Sequence, residues 1–220
     1  MYSLVFDFNL STQGHDAERY LVSIIEEWPE LYSEVPGVHG TIFMLNALGL
    51  GGDYSFRQVV ELDHPRAIRG IDEGMQKNKR WAASRVQWLK HRKDARSYLL
   101  KHDDEETGFT ERLSKPSETA LVSMTSARVN GDGRKAFSNS LSSSLRNIGG
   151  VDAVRSYKPL VHSANEHGVQ LWAMISDYDA LADVGEAASR AIESTGAGVV
   201  QTSQVFGIMR AENGVFMHSA

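Results

Sequence analysis

Two stretches of this chain share one pattern: a strand-like run that breaks at an aspartate and passes into a helix. The first runs from Asp53 to Trp81, DYSFRQVVELDHPRAIRGIDEGMQKNKRW. The second runs from Gly168 to Ser194, GVQLWAMISDYDALADVGEAASRAIES. Glu61-Leu62-Asp63 aligns with Ile175-Ser176-Asp177 at an offset of 114, and Pro36-Gly37-Val38 with Gly149-Gly150-Val151 at 113. Order and spacing, not identity, carry the inference of a duplicated fold. The alternative is two unrelated stretches of similar grammar.

The flanking sequence supports a repeated unit. Residues Tyr2, Leu4, Phe6, Phe8 and Leu10 alternate with Ser3, Val5, Asp7 and Asn9, which reads as a half-buried strand. Ser11 or Thr12 is a candidate cap for a helix with the apolar stripe Ala17, Tyr20, Leu21, Ile24, Trp28 and Leu31. Pro29 should kink or end it. After a turn at Val35-Pro36-Gly37 come strands over Val38–Asn46 and Tyr54–Leu62, separated by the glycine-rich Ala47–Gly52. Asp63 is expected to cap the next helix, with Pro65 in its first turn. Gly70 and Gly74 weaken that helix by about 1 kcal/mol each, so a break is expected near Gly74–Asn78. A second piece over Lys79–Arg92 should turn Trp81, Val86 and Leu89 inward, with Trp88 a further candidate for that face, before a short strand Arg96–His102. The first half therefore reads β-α-β-β-α-β.

Asp103–Thr119 is polar, contains Pro116 and reads as a linker. Strands over Ala120–Val129, Val151–Leu160, Val169–Ser176 and Val199–Met209 follow. They are interrupted by one helix carrying Phe137, Leu141 and Leu145, and another carrying Leu181, Val184 and Ala188. The second half is again β-α-β-β-α-β. The expected division is 1–102 and 120–210 as two units, 103–119 as linker and 211–220 as a tail.

Composition narrows the function. The 220 residues include no cysteine, which excludes disulfides and thiolate chemistry. The net charge of −5 argues against nucleic acid as a partner. No apolar run approaches the roughly 20 residues of a membrane span, and MYSLVFDFNL reads as a strand rather than a signal peptide. A cytoplasmic protein with a small-molecule substrate, without nucleic acid or membrane partners, and with a homodimer as candidate assembly is the expectation. Dinucleotide, P-loop and nucleophile-elbow motifs are absent.

The turn Val35-Pro36-Gly37-Val38, the run Arg57 to Asp63 and the late Trp81 together resemble the dimeric α/β-barrel superfamily. That resemblance implies an α+β fold, with two tandem ferredoxin-like βαββαβ units packing their sheets into one α/β barrel. The superfamily includes antibiotic-biosynthesis monooxygenases, some polyketide cyclases and small haem-degrading oxygenases.

Candidate site residues follow from chemistry. Asp7 and Asn9 share the less apolar face of the first strand and could bind or deprotonate a substrate hydroxyl, or lie at a solvated strand end. His39 is a candidate base, or a strand-end histidine bonded to backbone. Arg57 could hold an anionic group, or pair with a neighbouring carboxylate. Trp81 and Trp172 are candidate walls of an aromatic pocket, or core. Trp88 and His91 resemble the helix histidine of the haem-degrading members, although their KHRK flank reads as a solvated face. No metal site is expected: the histidines are scattered, and His162 and His167 are too loosely spaced for a ligand pair. The leading expectation is a cofactor-independent monooxygenase or cyclase acting on an aromatic or polyketide-like compound. A non-catalytic ligand-binding or scaffold barrel and a haem protein are the alternatives.

Overall fold

The structure is a computed structural model that describes residues 1–46, 49, 53–103, 121–129, 133–161, 168–212 and 215–218. The first half comprises β1 (Tyr2–Leu10), α1 (His15–Ser33), β2 (Val38–Leu45), β3 (Phe56–Leu62), α2 (Ala67–Lys77), α3 (Lys79–His91) and β4 (Arg92–His102). The second comprises β5 (Leu121–Arg128), α4 (Gly133–Arg146), β6 (Val151–Val161), β7 (Val169–Ile175), α5 (Ala180–Thr195), β8 (Gly198–Glu212) and β9 (Val215–His218).

Both halves order their strands alike, β2-β3-β1-β4 and β6-β7-β5-β8, with every pairing antiparallel. This is the ferredoxin-like arrangement. β4 pairs with β6, and β2 pairs with β8 at Met44–Ile208 and Leu45–Gly207. These seams close eight strands into a barrel and leave it no free edge. β9 adds to β8 outside the closed sheet.

Strand alternation sorts side chains into three cores. In β1, Tyr2, Leu4, Phe6, Phe8 and Leu10 face α1, α2 and α3 and pack with Ile24, Trp28, Leu31, Tyr32 and Trp81. Val5, on the other face, meets Val59, Tyr98, Met124, Tyr157, Trp172 and Phe206 inside the barrel. A third cluster, including Phe137, Leu141, Leu145, Val184 and Ala188, joins the second sheet to α4 and α5. A sheet covered on only one face would leave the other in water, and closing two such sheets face to face buries both.

Several expectations change. α1 continues through Pro29 to Ser33, because Trp28, Leu31 and Tyr32 extend its buried stripe past the proline. Its cap is Gly14 rather than Ser11 or Thr12, and Asp63 makes no cap for α2, bonding His39 instead. The break after α2 does fall within the expected Gly74–Asn78, at Asn78, whose Oδ1 accepts from the Arg80 N–H at 2.9 Å and caps α3. Val86 and Leu89 point outward, 60% and 70% exposed. The inward face of α3 is Trp81, Ser84, Trp88 and His91, and residues 86 and 89 fall opposite at helical spacing. β4 begins at Arg92, earlier than Arg96. The segment read as a tail forms the end of β8 and β9. Residues 104–119 of the expected linker, and His162 and His167, lie outside the described residues. Among the described residues, no helix is long and apolar enough to cross a membrane.

Candidate functional site

The structure places the expected site residues in four separate surroundings. Asp7 and Arg57 are cross-strand partners inside the barrel, with Arg96 on the opposite flank of Asp7. Arg57 Nε donates to Asp7 Oδ1 at 2.6 Å and Nη2 to Oδ2 at 2.9 Å, while Arg96 Nη2 donates to Oδ2 at 3.0 Å. Arg57 also reaches Gln204 Oε1 at 3.2 Å and contacts the Met124 sulfur. Trp172 lies over the same guanidinium, 6.0 Å from its ring centre, and Phe206 at 4.7 Å. Asp7 is fully buried and both its oxygens are taken by guanidinium groups. This is a buried ion-pair network with an aromatic cover, and Trp172 is part of the packed interior.

Asn9 braces a loop: its Oδ1 accepts from Ser55 N–H at 2.9 Å and its Nδ2 donates to Asp53 O at 3.2 Å. His39 sits at the other end of the sheet, exposed and bonded to Asp63. At about 3.3 Å per residue, the length of β1 holds the two on the order of 20 Å apart, too far to share one small substrate. Trp81 packs in the helix-side core against Trp28 and Tyr32, with ring centres 6.2 and 5.3 Å away. Its indole lies over Gly74, where an added Cβ would meet the ring at 3.4 Å, an ordinary van der Waals contact.

A second polar group in the barrel joins Ser3, His102 and Arg155. Arg155 Nη1 is 3.0 Å from His102 Nδ1, and an arginine only donates, so Nδ1 accepts. The ring proton is then on Nε2 and donates to Ser3 Oγ at 2.9 Å. A base that activates a serine needs its lone pair on that nitrogen, so this is not a nucleophile pair. Burial, reinforced by Arg155 and the N-terminal amine, holds the His102 pKa down to about 3.

The cavity with useful chemistry lies on the helix side of the first half. A groove of about 380 Å³ separates α1 from α3, with Arg19, Tyr20, Trp28, Gln87, Lys90 and His91 among its walls. The His91 ring stacks on Tyr20 at 4.8 Å. Its Nδ1 lies 2.9 Å from Thr12 Oγ1 and its Nε2 lies 3.1 Å from Gln87 Oε1. Burial, with Lys90 nearby, lowers the His91 pKa and keeps the ring neutral. Burial raises the Tyr20 pKa against the pull of Arg92, so the phenol keeps its proton.

Behind Tyr20 lies Arg92, 8% exposed. Its Nε donates to Tyr20 Oη at 2.7 Å and its Nη2 to Gln58 Oε1 at 3.0 Å, while Gln58 in turn donates to Tyr32 Oη at 3.2 Å. The Phe8 ring centre is 3.8 Å from the guanidinium carbon, and that of Trp88 4.8 Å. Arg92 Nη1 has no hydrogen-bond partner among the described residues, and no carboxylate there pairs with Arg92. Sequence reasoning missed this residue because it opens β4 inside the basic run KHRK. The register shift between Asp7 and Asn9, opposite Asp94 with φ +50°, carries the strand back to Arg92 beside Leu10, on the helix face. A tyrosine within the α1 stripe was the available signal, since a buried hydroxyl needs a partner.

The fold is that of the dimeric α/β-barrel superfamily. No family model matches the sequence, and no curated protein matches it. Among solved structures, a chlorite dismutase-like protein aligns over 97% of this chain and 95% of its own, with a TM-score of 0.64 at 15% identity. A monooxygenase-like protein from Fusobacterium nucleatum gives 0.61 at 13% identity, over 99% and 96% of the two chains. An anthrone oxidase-like protein gives 0.61 at 14%, over 100% and 93%.

These neighbours overturn the expectation of a protein without a cofactor. The fold is shared with a chlorite dismutase from Candidatus Nitrospira defluvii and a dye-decolorizing peroxidase from Bacteroides thetaiotaomicron, each with a TM-score of 0.55, and these are haem-dependent proteins. Among the described residues, those of the first half fit such a group in the α1–α3 groove. In the second half, the helix-side layer is filled by Phe137, Leu141 and Leu145, and the buried polar residues among those described there include no histidine. In the first half, neutral His91 lines the groove, with Arg19 and Lys90 available for acidic side chains of the group. Coordination there requires Gln87 to release His91 Nε2.

Proposed function

We propose that the protein is a small-molecule oxidoreductase, monooxygenase-like in its reaction, whose aromatic or polyketide-like substrate occupies the groove between α1 and α3. One observation carries this reading: neutral His91 stacked on protonated Tyr20 at the wall of a cavity, with the buried cation Arg92 behind them. A cavity of a few hundred Å³ with aromatic walls and a few convergent polar groups is the usual form of a small-molecule site. The oxidoreductase descriptions of the fold neighbours support the reaction class. The barrel interior, filled by Trp172, Tyr157, Phe206 and the Asp7–Arg57 pair, acts as scaffold.

The test is oxygen or peroxide consumption with a panel of phenols and anthrone-like ketones. Products are read by mass spectrometry. Ala83 is exposed on the groove wall, and Ala83→Trp would fill the cavity. Turnover that falls at least tenfold in this variant supports the reading; undiminished turnover, or none across the panel, overturns it.

A second reading is haem held by His91, with Arg19 and Lys90 at its carboxylates. It rests on the neutral imidazole in the groove. When bound, haem would supply redox chemistry that side chains lack. Hemin titration should then give a Soret band that disappears in His91→Ala.

A further inference from the structure

Both ring nitrogens of His91 are bonded, and the bonds fix where its proton sits. The Gln87 atom facing Nε2 is Oε1, which only accepts, so Nε2 carries the proton and donates at 3.1 Å. Nδ1 then holds the lone pair and accepts from the Thr12 hydroxyl at 2.9 Å. His102 has the opposite arrangement, with its lone pair turned to Arg155 and its proton to Ser3. The order hydroxyl, imidazole, amide at His91 is that of a nucleophile, its base and the group that orients the base.

The hydroxyl is both reachable and held. Thr12 is half-buried, between the exposed Ser11, Gln13 and Gly14. The Ser11 N–H donates to the His91 carbonyl at 2.8 Å, and its Oγ to the Lys90 carbonyl at 2.8 Å. Those two bonds already tie the β1–α1 loop to the end of α3, so the Thr12 hydroxyl is not needed as a clasp. They keep its oxygen at the ring. α1 then starts at His15, with Gly14 as N-cap and no side-chain cap. The His15 and Asp16 amides meet no described acceptor, and a Cβ at Gly14 would meet no atom within 4 Å. Open space and N–H donors suited to a developing oxyanion thus follow Thr12 directly in the chain.

We propose that Thr12, with His91 as its base and Gln87 as a positioning residue, is an acyl-transfer site for small activated esters. This goes beyond the oxidoreductase reading and does not depend on it. The Thr12 oxygen attacks the ester carbonyl carbon while its proton passes to His91 Nδ1. The bond from that carbon to the leaving oxygen breaks, and the alcohol departs with the proton. Water attacks the acyl-threonine in the same way, releasing the carboxylic acid and restoring the hydroxyl. The groups facing the ring are Asp16 and the stacked Tyr20 from α1 and Lys90 from its own helix, with Arg92 behind Tyr20. Asp16 favours the charged ring, while burial and Lys90 oppose it, so the imidazole is neutral and ready to take a proton. Gln87 is neutral and orients the imidazolium without the stabilisation a carboxylate would give. The site therefore suits esters with a good leaving group, such as aryl esters.

The probe is 4-nitrophenyl acetate. Absorbance follows release of 4-nitrophenolate, and peptide mass spectrometry locates the acetyl group on the protein. The acetyl group should be found on Thr12. Thr12→Ala and His91→Ala should each lower the rate at least about tenfold, and Thr12→Ser should retain it. Gln87→Glu sets a carboxylate against Nε2. It should raise the His91 pKa and move the acidic limb of the pH–rate profile upward, which a purely structural glutamine would not do. Nitrogen NMR of the His91 ring should place the proton on Nε2. Near-ultraviolet circular dichroism checks that each variant is folded; if His91→Ala is not, Thr12→Ala and Gln87→Glu decide. Acetyl groups confined to lysines overturn the proposal. So does an undiminished rate in Thr12→Ala, or a ring proton on Nδ1, the tautomer that haem ligation through Nε2 requires. The two readings fail separately. Ester cleavage through Thr12 without turnover of any panel compound leaves this site standing and removes the oxidoreductase; turnover blocked by Ala83→Trp without acetylation of Thr12 does the reverse.

Discussion

Gly37 and Gly150, 113 positions apart, occupy the same left-handed conformation, with φ of +82° and +81°. The carbonyl of Gly37 accepts from the Asp63 N–H at 2.9 Å, and that of Gly150 from the Ser176 N–H at 2.9 Å. Those donors are also 113 positions apart. In each half the bond ties the start of the second strand to the end of the third. A side chain at either glycine is strained by about 1 kcal/mol from φ alone. The surroundings then separate the two. An added Cβ at Gly150 would sit 2.7 Å from the Asp177 Cβ, whereas at Gly37 it would sit 3.3 Å from the His64 ring, which can tilt away. Gly150→Ala is expected to cost about 2–3 kcal/mol and Gly37→Ala about 1–2 kcal/mol in urea unfolding.

Asp7 balances two buried or half-buried guanidinium groups. Asp7→Ala strips both of their carboxylate and should destabilise the fold by about 3–5 kcal/mol. Urea denaturation of the variant measures this loss.

His102 makes stability depend on pH. Its folded pKa of about 3 lies below the ordinary histidine value of 6.5, so below that value the unfolded chain binds a proton that the native state does not. Stability therefore falls as pH drops from 6.5 towards 3, by about 2 kcal/mol between pH 7 and pH 5. Chemical denaturation at the two pH values should show this loss, and His102→Gln should remove most of it.

Pro29 is exposed near the C-terminal end of α1 and denies Ile25 the hydrogen bond an ordinary residue would give. The helix continues because the buried stripe runs on to Leu31 and Tyr32. Pro29→Ala should restore the bond and stabilise the protein by about 1–3 kcal/mol, raising the thermal midpoint. Destabilisation would mean that a bend at Pro29 is needed to seat Trp28 and Tyr32.

Much of the architecture was legible in particular residues. The alternation of β1 divides helix-facing aromatics from Ser3, Val5 and Asp7, and both turn glycines sit where the spacing of the halves placed them. The groove was harder to read. His91 and Arg92 lie in a basic run that looks solvated, and burial of a charge depends on what packs over it. The backbone irregularity at Asp94 then turns Arg92 to the helix face, and no local pattern marks that. Val86 and Leu89 misled for the opposite reason: they are apolar, but the inward face of α3 was already taken by Trp81 and Trp88.

By itself, the sequence determined what depends on local periodicity and chirality: where strands and helices form, where α2 gives way to α3 and where the two glycines turn the chain. Only the tertiary structure decided which charges are paired. Closing the barrel brought Asp7 between Arg57 and Arg96, and packing α1 and α3 on the sheet enclosed Arg92 with neutral partners. Electrostatic environment is set by groups distant along the chain, and the distances between them exist only once the sheets have closed.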